Sequence, residues 1–374
     1  MKILFLRSNP VSPDSRVEKE VQVLKELNKE VSVFCWDRTK DSFVIKSVLE
    51  NGVSIYRIGI KAGYSQGFKK NLKPLIKFQI SIIKFLFKNR KKIEIIHACD
   101  FDTAFSAFIF SIIFKKKLVY DIFDYYVDAF NVPNYLKKLI AFLDRKIIKF
   151  ANITIICTEK RKEQIKEANP KKLIIIHNTP PKIEDISRKK LENKKIKIVY
   201  VGILPENGRM IKELVEIVEE NETLYELHIA GFGPLENYLK EKSKINENIK
   251  FYGKISYMKT LELENSCDIM TAIYDPSVPN HFYAAPNKFY ESLMLGKPLI
   301  MIKNTGMSEI VSQYKIGEVI DYNKSSLEKG LKNLVNRKNE WQEIKKIENE
   351  LYEKKYSWEI MSKRIKKLYD ELYI

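Results

Sequence analysis

The chain has 374 residues, 45% of them apolar, with 66 Lys and Arg against 48 Asp and Glu for a net charge of +18. That length suits one very large domain or two ordinary ones, and the apolar fraction is enough for a core in each, which excludes wholesale disorder. Cys35, Cys99, Cys157 and Cys267 lie far apart with no Cys-x-x-Cys or Cys/His cluster, so a disulfide framework and structural zinc are excluded and a reduced, cytosolic setting is expected.

Met1 to Leu6 is too short an apolar run for a signal peptide, and Thr103 to Phe114 is too short to span a bilayer. The charge is uneven. Residues 1–183 hold 35 Lys and Arg against 18 Asp and Glu, or +17, and the remainder 31 against 30, or +1. A lysine-rich composition alone does not produce such a split, which assigns different partners to the two halves.

Lys2 to Leu6 reads as a first strand, followed by a turn-rich loop (Ser8 to Ser15), a helix opened by the capping box Ser15-x-x-Glu18, and a strand from Val31 to Cys35. This is the start of a doubly wound domain. Residues 72–90 predict a helix with lysines on one narrow stripe and apolar side chains on most of the remaining arc, more than a helix buried on one side needs. Exposure of some of Phe78, Phe85 and Phe87 is therefore expected. With the surrounding lysines, residues 69–92 suit an anionic membrane surface, and the protein is expected to be cytoplasmic or peripheral on the inner membrane face. Burial of this helix between two layers of the fold remains the alternative.

The strands Ile93 to His97 and Leu118 to Ile122 bracket a helix, and their carboxyl ends carry Asp100, Asp102 and Asp124. Asp100-Phe101-Asp102 imitates a metal clamp, but its two-domain context argues against one and no metal is expected. A helix from Asn134 to Phe150, the strand Ile153 to Cys157, a charged helix over 159–168 and the strand Leu173 to His177 follow. Residues 181–195, rich in Pro, Lys and Glu without periodicity, predict a linker.

The strand Lys197 to Val201 reopens the pattern, with a loop from Gly202 to Arg209 and a helix from Met210 to Glu220. Leu224 to Ala230 runs into Gly231-Phe232-Gly233-Pro234, and Ile249 to Phe251 into Gly253-Lys254. After the strand Cys267 to Tyr274 comes a loop holding His281 and Tyr283, then Pro286-Asn287-Lys288-Phe289-Tyr290-Glu291, closed by Gly296-Lys297-Pro298 and a buried strand. Lys288 and Glu291 share a helix face. A helix start with a lysine suits a phosphate, and a carboxylate one turn on can accept hydrogen bonds from ribose hydroxyls.

The stretch from Pro286 to Leu299 resembles the donor signature of the retaining glycosyltransferases of family 4, which have the GT-B fold. Asp14-Ser15-Arg16-Val17 resembles the opening of one branch of that family. The resemblance implies an α/β architecture of two Rossmann-like domains facing across a cleft: an acceptor domain (1–180), a linker (181–195), a nucleotide-sugar domain (196–355) and a C-terminal helix crossing back (356–374). It implies a UDP- or GDP-linked sugar donor and no other cofactor. It also implies transfer without metal; the skewed charge and the helix over 72–90 point to a lipid-linked or surface-glycan acceptor, and with no aromatic-basic single-strand motif or helix-turn-helix text no nucleic-acid partner is expected.

Arg209 and Lys288 then stabilise the departing diphosphate, and Glu291 holds the ribose. Asn287, Gly231, Gly233, Lys254 and Tyr283 line the donor, and Arg16 is a contact to donor or acceptor, with a helix-surface arginine as the alternative. Asp124, Asp100 or His97 supplies any general base. Three positions depart from the family pattern: Tyr283 replaces the first Glu, Ile203 an Arg, and Phe123 a His. A catalytically weakened binding subunit and a nucleotide-sugar epimerase are the alternative functions.

Overall fold

The computed structural model describes residues 2–49, 51–63, 67–129, 132–183, 186 and 195–373. The chain divides into two units, Met1–His177 with Met361–Ile374, and Asn178–Ile360. Much of the expected linker (184, 185 and 187–194) lies outside the described residues.

In the first unit, β1 (Ile3–Arg7), α1 (Ser15–Glu26) and β2 (Val31–Asp37) lead into β3 (Ser42–Val48), β4 (Ser54–Gly59) and α2 (Gly67–Asn89). Then come β5 (Ile95–Cys99), α3 (Phe101–Ile113), β6 (Lys117–Ile122), α4 (Tyr126–Ala129) and α5 (Asn134–Phe150). The series ends with β7 (Ile153–Ile156), α6 (Arg161–Gln164) and β8 (Leu173–Ile175). The sheet order is β3-β4-β2-β1-β5-β6-β7-β8, parallel except for β3, which runs antiparallel to β4. Strands covered on both faces need uninterrupted apolar runs, and Ile3, Leu4, Phe5 and Leu6 of β1 are all fully buried.

Several expectations shift. Asp14, one residue before Ser15, caps α1 by accepting from the Val17 N–H at 3.3 Å, while Glu18 accepts from the Asp14 N–H at 3.1 Å. The charged helix expected over 159–168 is reduced to α6 and a 3-10 turn over Lys166–Ala168, because Ile165 between them leaves helical geometry at φ −113° and ψ 10°. On α2, Phe78 is not exposed: it is fully buried against Trp36 and Phe34. Phe85 is half-buried on Phe34, and Phe87 alone of the three lies exposed.

The second unit begins with β9 (Ile196–Ile203), α7 (Ile211–Glu220), β10 (Tyr225–Phe232), α8 (Glu236–Ile245) and β11 (Ile249–Phe251). It continues through α9 (Tyr257–Ser266), β12 (Ile269–Ala272), α10 (Pro279–Phe282), α11 (Asn287–Leu295) and β13 (Leu299–Ile302). Last come α12 (Ser308–Tyr314), β14 (Gly317–Ile320), α13 (Lys324–Asn336) and α14 (Trp341–Leu351). The sheet order is β11-β10-β9-β12-β13-β14, and every pairing is parallel.

The final helix, α15 (Trp358–Tyr373), belongs from Met361 onward to the first unit, where the Tyr369 hydroxyl meets Nδ1 of His97 at 2.6 Å. Among the described residues, no helix is long and apolar enough to cross a membrane.

In both sheets the chain winds one way from the central strand and then the other, so the switch points fall between β1 and β5 and between β9 and β12. Ligands of doubly wound sheets bind at the carboxyl ends of the strands beside such points.

Candidate active site

In the second unit, the ends of β9 and β10 are held together by backbone contact. Gly231 pairs with Gly202 in the strand register, and a Cβ at Gly231 would stand 1.8 Å from the Gly202 carbonyl oxygen. One at Gly233 would stand 2.6 Å from the Leu204 oxygen. With φ of +151° at Gly231, both sterics and backbone conformation demand glycine. Gly231→Ala is expected to destabilise this unit by about 3 kcal/mol, read as a lower Tm by calorimetry.

Arg209 stands at the β9/β12 switch point. Its guanidinium lies 3.9 Å from the centroid of the Tyr274 ring, just past β12, and donates to the Gly208 carbonyl at 2.9 Å. The loop after β12 is tied to its neighbours: Asp275 N–H donates to Gly208 O at 3.2 Å, and Gly306 N–H to His281 O at 2.9 Å. His281 Nδ1 donates to Asp275 O at 2.7 Å, which fixes its tautomer. The Tyr200 hydroxyl donates to the Ile203 carbonyl at 2.7 Å, and burial raises its pKa.

Lys288 and Glu291 do share a face of α11, and the structure adds a third charge that the sequence did not disclose. Lys288 Nζ donates to Glu291 at 2.7 Å and to Glu264, on α9, at 2.6 Å. Both carboxylates are 1% exposed. Burial first, and then the Glu291 charge, raise the Glu264 pKa against the pull of Lys288. Burial opposes the Lys288 charge, but Glu264 and Glu291 outweigh it and raise its pKa. Lys288 is therefore not a spare cation, and the arginine replaced by the exposed Ile203 has no free substitute in it.

The other donor-side residues are more open. Asn287, exposed at the first turn of α11, accepts from the Asn178 side-chain amide at 3.0 Å. Tyr283 is half-buried at the end of α10, edge-on to Phe282. Lys254 is exposed, with Nζ 5.2 Å from the Phe232 ring.

In the first unit, Arg7 at the end of β1 bonds Asp100 at 2.5 Å and Asp14 at 2.8 Å. Asp100 adopts φ 64° and ψ 164°, a region almost reserved for glycine, so its position is bought with backbone strain. Its Oδ1 accepts from the N–H groups of Phe123 at 2.9 Å and Asp124 at 3.1 Å. Burial pushes its carboxyl up to about 7; Arg7 pulls it down, and Asp102 and Asp124 add to the rise. A folded-state pKa above the ordinary value favours the protonated fold, a contribution present at acid pH and lost as pH rises. Asp100→Asn should flatten the fall in stability between about pH 4 and about pH 7, worth ~2–4 kcal/mol, in denaturant titrations across that range.

Asp124 is half-exposed and pairs with Arg161 at 3.1 Å. Arg16 is neither a surface residue nor open to a ligand. It is 4% exposed and bonds Asp121 at 2.5 Å and Glu20 at 3.2 Å. Its guanidinium and that of Arg7 both lie over the Phe123 ring. His97 is buried and stacked on Phe5, and burial lowers its pKa, so it is a neutral core residue rather than an accessible base.

Glu20, His97 and Asp121 are the one potential metal-ligand group among the described residues. Arg16 already bonds two of the three, which suits an ion-paired core and not a divalent cation. Asp102, the second member of the imitated clamp, does not join that group.

Two doubly wound sheets, parallel apart from the edge strand β3, make the α/β two-domain architecture of the GT-B fold. The family model described as glycosyl transferases group 1 matches residues 182–368, half of the chain, and the chain belongs to that family. Sucrose-phosphate synthase from Thermosynechococcus elongatus is similar, with 15% identity and a TM-score of 0.74 over 100% of this chain and 99% of that one. So is Anabaena HepE in complex with UDP, at 15% identity and a TM-score of 0.70 over 99% and 100%. A trehalose-6-phosphate protein from E. coli bound with UDP-2-fluoro glucose has 9% identity and a TM-score of 0.69 over 99% of each chain. These likenesses are of fold. No curated protein matches the sequence.

Proposed function

We propose that the chain moves a sugar from a nucleotide-diphosphate donor to a glycan or lipid-linked acceptor, with retention of configuration and without a divalent metal. The observation that carries this is Arg209, held over the Tyr274 ring at 3.9 Å beside the β9/β12 switch point. A guanidinium fixed there meets the charge that grows on the diphosphate as the glycosidic C–O bond breaks, and it needs no reorganisation to do so. The start of α11 adds backbone N–H groups that the helix itself leaves unpaired. Glu291 exchanges its bond to Lys288 for ribose hydroxyls, and Asp100 or Asp124 receives the acceptor proton.

Retention rests on the resemblance of residues 286–299 to the family 4 signature. Metal independence rests on the same resemblance, with Arg209 as the cation offered to the diphosphate. HepE is described in complex with UDP and with UDP-glucose, which supports UDP as the first base to test. A thermal-shift screen of nucleoside diphosphates and their sugars is the test. One of them should raise the Tm of the second unit, by about 2.7 kcal/mol of stabilisation at a hundredfold excess over Kd. No shift with any of them overturns the reading.

A second reading, a weakened member that binds the nucleotide sugar without transferring it, is favoured by two observations: the ion-paired state of Lys288 and the apolar Ile203. A thermal shift without release of nucleoside diphosphate would select it.

A further inference from the structure

We propose that the outer face of α2, α3 and α5 is a docking surface for an anionic lipid bilayer, a property independent of the donor reading above. Helix α2 packs on α3 and α3 on α5, so the three form one layer. On α2, Ile76, Ile80, Ile83 and Phe87 recur every three or four residues and are 50%, 47%, 44% and 53% exposed. They form a stripe on the side opposite Phe78, Ile82 and Leu86, which are fully buried. Ile112 and Ile113 at the end of α3 are exposed, as are Leu139 and Phe142 on α5. Ring contacts of 6.0 Å between Phe87 and Phe114, and between Phe108 and Phe150, join the helices along this layer.

Charge selects the occupant. Helix α2 contains no Asp or Glu, and the acids of α3 and α5 point inward: Asp144 is fully buried under Tyr120, and Asp102 has a buried carboxyl oxygen. Lys73, Lys77, Lys84 and Lys88 on α2 and Lys138, Lys146 and Lys149 on α5 are exposed. A second copy would set lysine against lysine. A nucleic acid would neutralise the lysines but leave the isoleucines against water. An anionic bilayer satisfies both at once, taking the apolar stripe into its interface while the lysine stems reach its headgroups. The side chains of Lys69 and Lys70 lie outside the described residues.

The test is flotation of the full chain with vesicles of phosphatidylcholine, alone or mixed with phosphatidylglycerol. Binding is expected only to the mixed vesicles. The triple variant Ile80→Gln/Ile83→Gln/Phe87→Gln should lower the apparent affinity by about 10-fold or more at low and high salt. Lys77→Glu/Lys84→Glu/Lys88→Glu should lower it at low salt and remove the salt dependence. All six positions are exposed, so any nucleotide-induced shift should stay as in the parent, and Tm should fall only in the apolar triple, by the loss of partly covered apolar surface and the Phe87–Phe114 ring contact. The proposal is overturned by absence of binding to mixed vesicles, or by binding that the apolar triple leaves unchanged. A concentration-dependent dimer that the apolar triple dissociates would overturn it as well, since a second copy would then cover the face.

Discussion

Replacing Arg209 by alanine is expected to lower kcat by about 10²–10³-fold, or ~3–4 kcal/mol of transition-state stabilisation, with a smaller loss of donor affinity. The asymmetry follows from the charge it meets. A bound nucleotide sugar already carries diphosphate charge, which other groups share, but bond breaking adds negative charge at the leaving oxygen. The measurement is release of nucleoside diphosphate under saturating donor, beside the thermal shift of the same variant. Equal losses in both would mean that Arg209 only anchors the ground state. Arg209→Lys keeps the charge but not the plane that lies on Tyr274, so an intermediate loss of about 10-fold is expected. Tyr274→Leu removes the platform and should fall in the same range, provided the ring acts by holding the guanidinium in place.

The strand, glycine-bearing loop and helix start around Arg209 were legible because they are local in the chain, whereas its contact with Tyr274, 65 residues on, was not. The parallel strands were legible for a related reason. Strands covered on both faces must be continuous apolar runs, as in Ile3 to Leu6, all buried in β1. The edge pair β3/β4 escaped reading because Ser42–Val48 has neither a covered face nor a polar one; Phe43 there is 93% exposed.

Pairings across the fold were not legible either. Arg16 looked free for a ligand, yet its partner Asp121 lies 105 residues away, and no spacing rule connects the end of one strand to the helix after another. Strain at Asp100 is invisible for the same reason: an aspartate at a strand end signals nothing about φ until the loop around it closes. On α2 the sequence foretold surplus apolar surface, but which phenylalanine it exposes depends on where Phe34 and Trp36 sit beneath the helix.

Glu264 is the residue that sequence reasoning had no means of finding, and it carries the largest expected effect on stability. Substituting Lys288 by methionine leaves Glu264 and Glu291 buried together without their shared cation, and should cost about 3–5 kcal/mol. That corresponds to a Tm lower by roughly 6–20 °C for a unit of this size. The double variant Lys288→Met/Glu264→Gln removes one buried charge with the cation and should recover much of the loss, with a coupling of about 1–3 kcal/mol in the double-mutant cycle. The sign with pH is also fixed. The Glu264 pKa is raised in the fold, so its protonated form favours folding, and that favour is lost as pH rises. The Lys288→Met defect should therefore shrink at acid pH and widen above neutrality, whereas the double variant should show little such trend. If Lys288 also meets the donor, the double variant regains Tm without regaining turnover. Recovery of both together would confine Lys288 to holding α11 against α9.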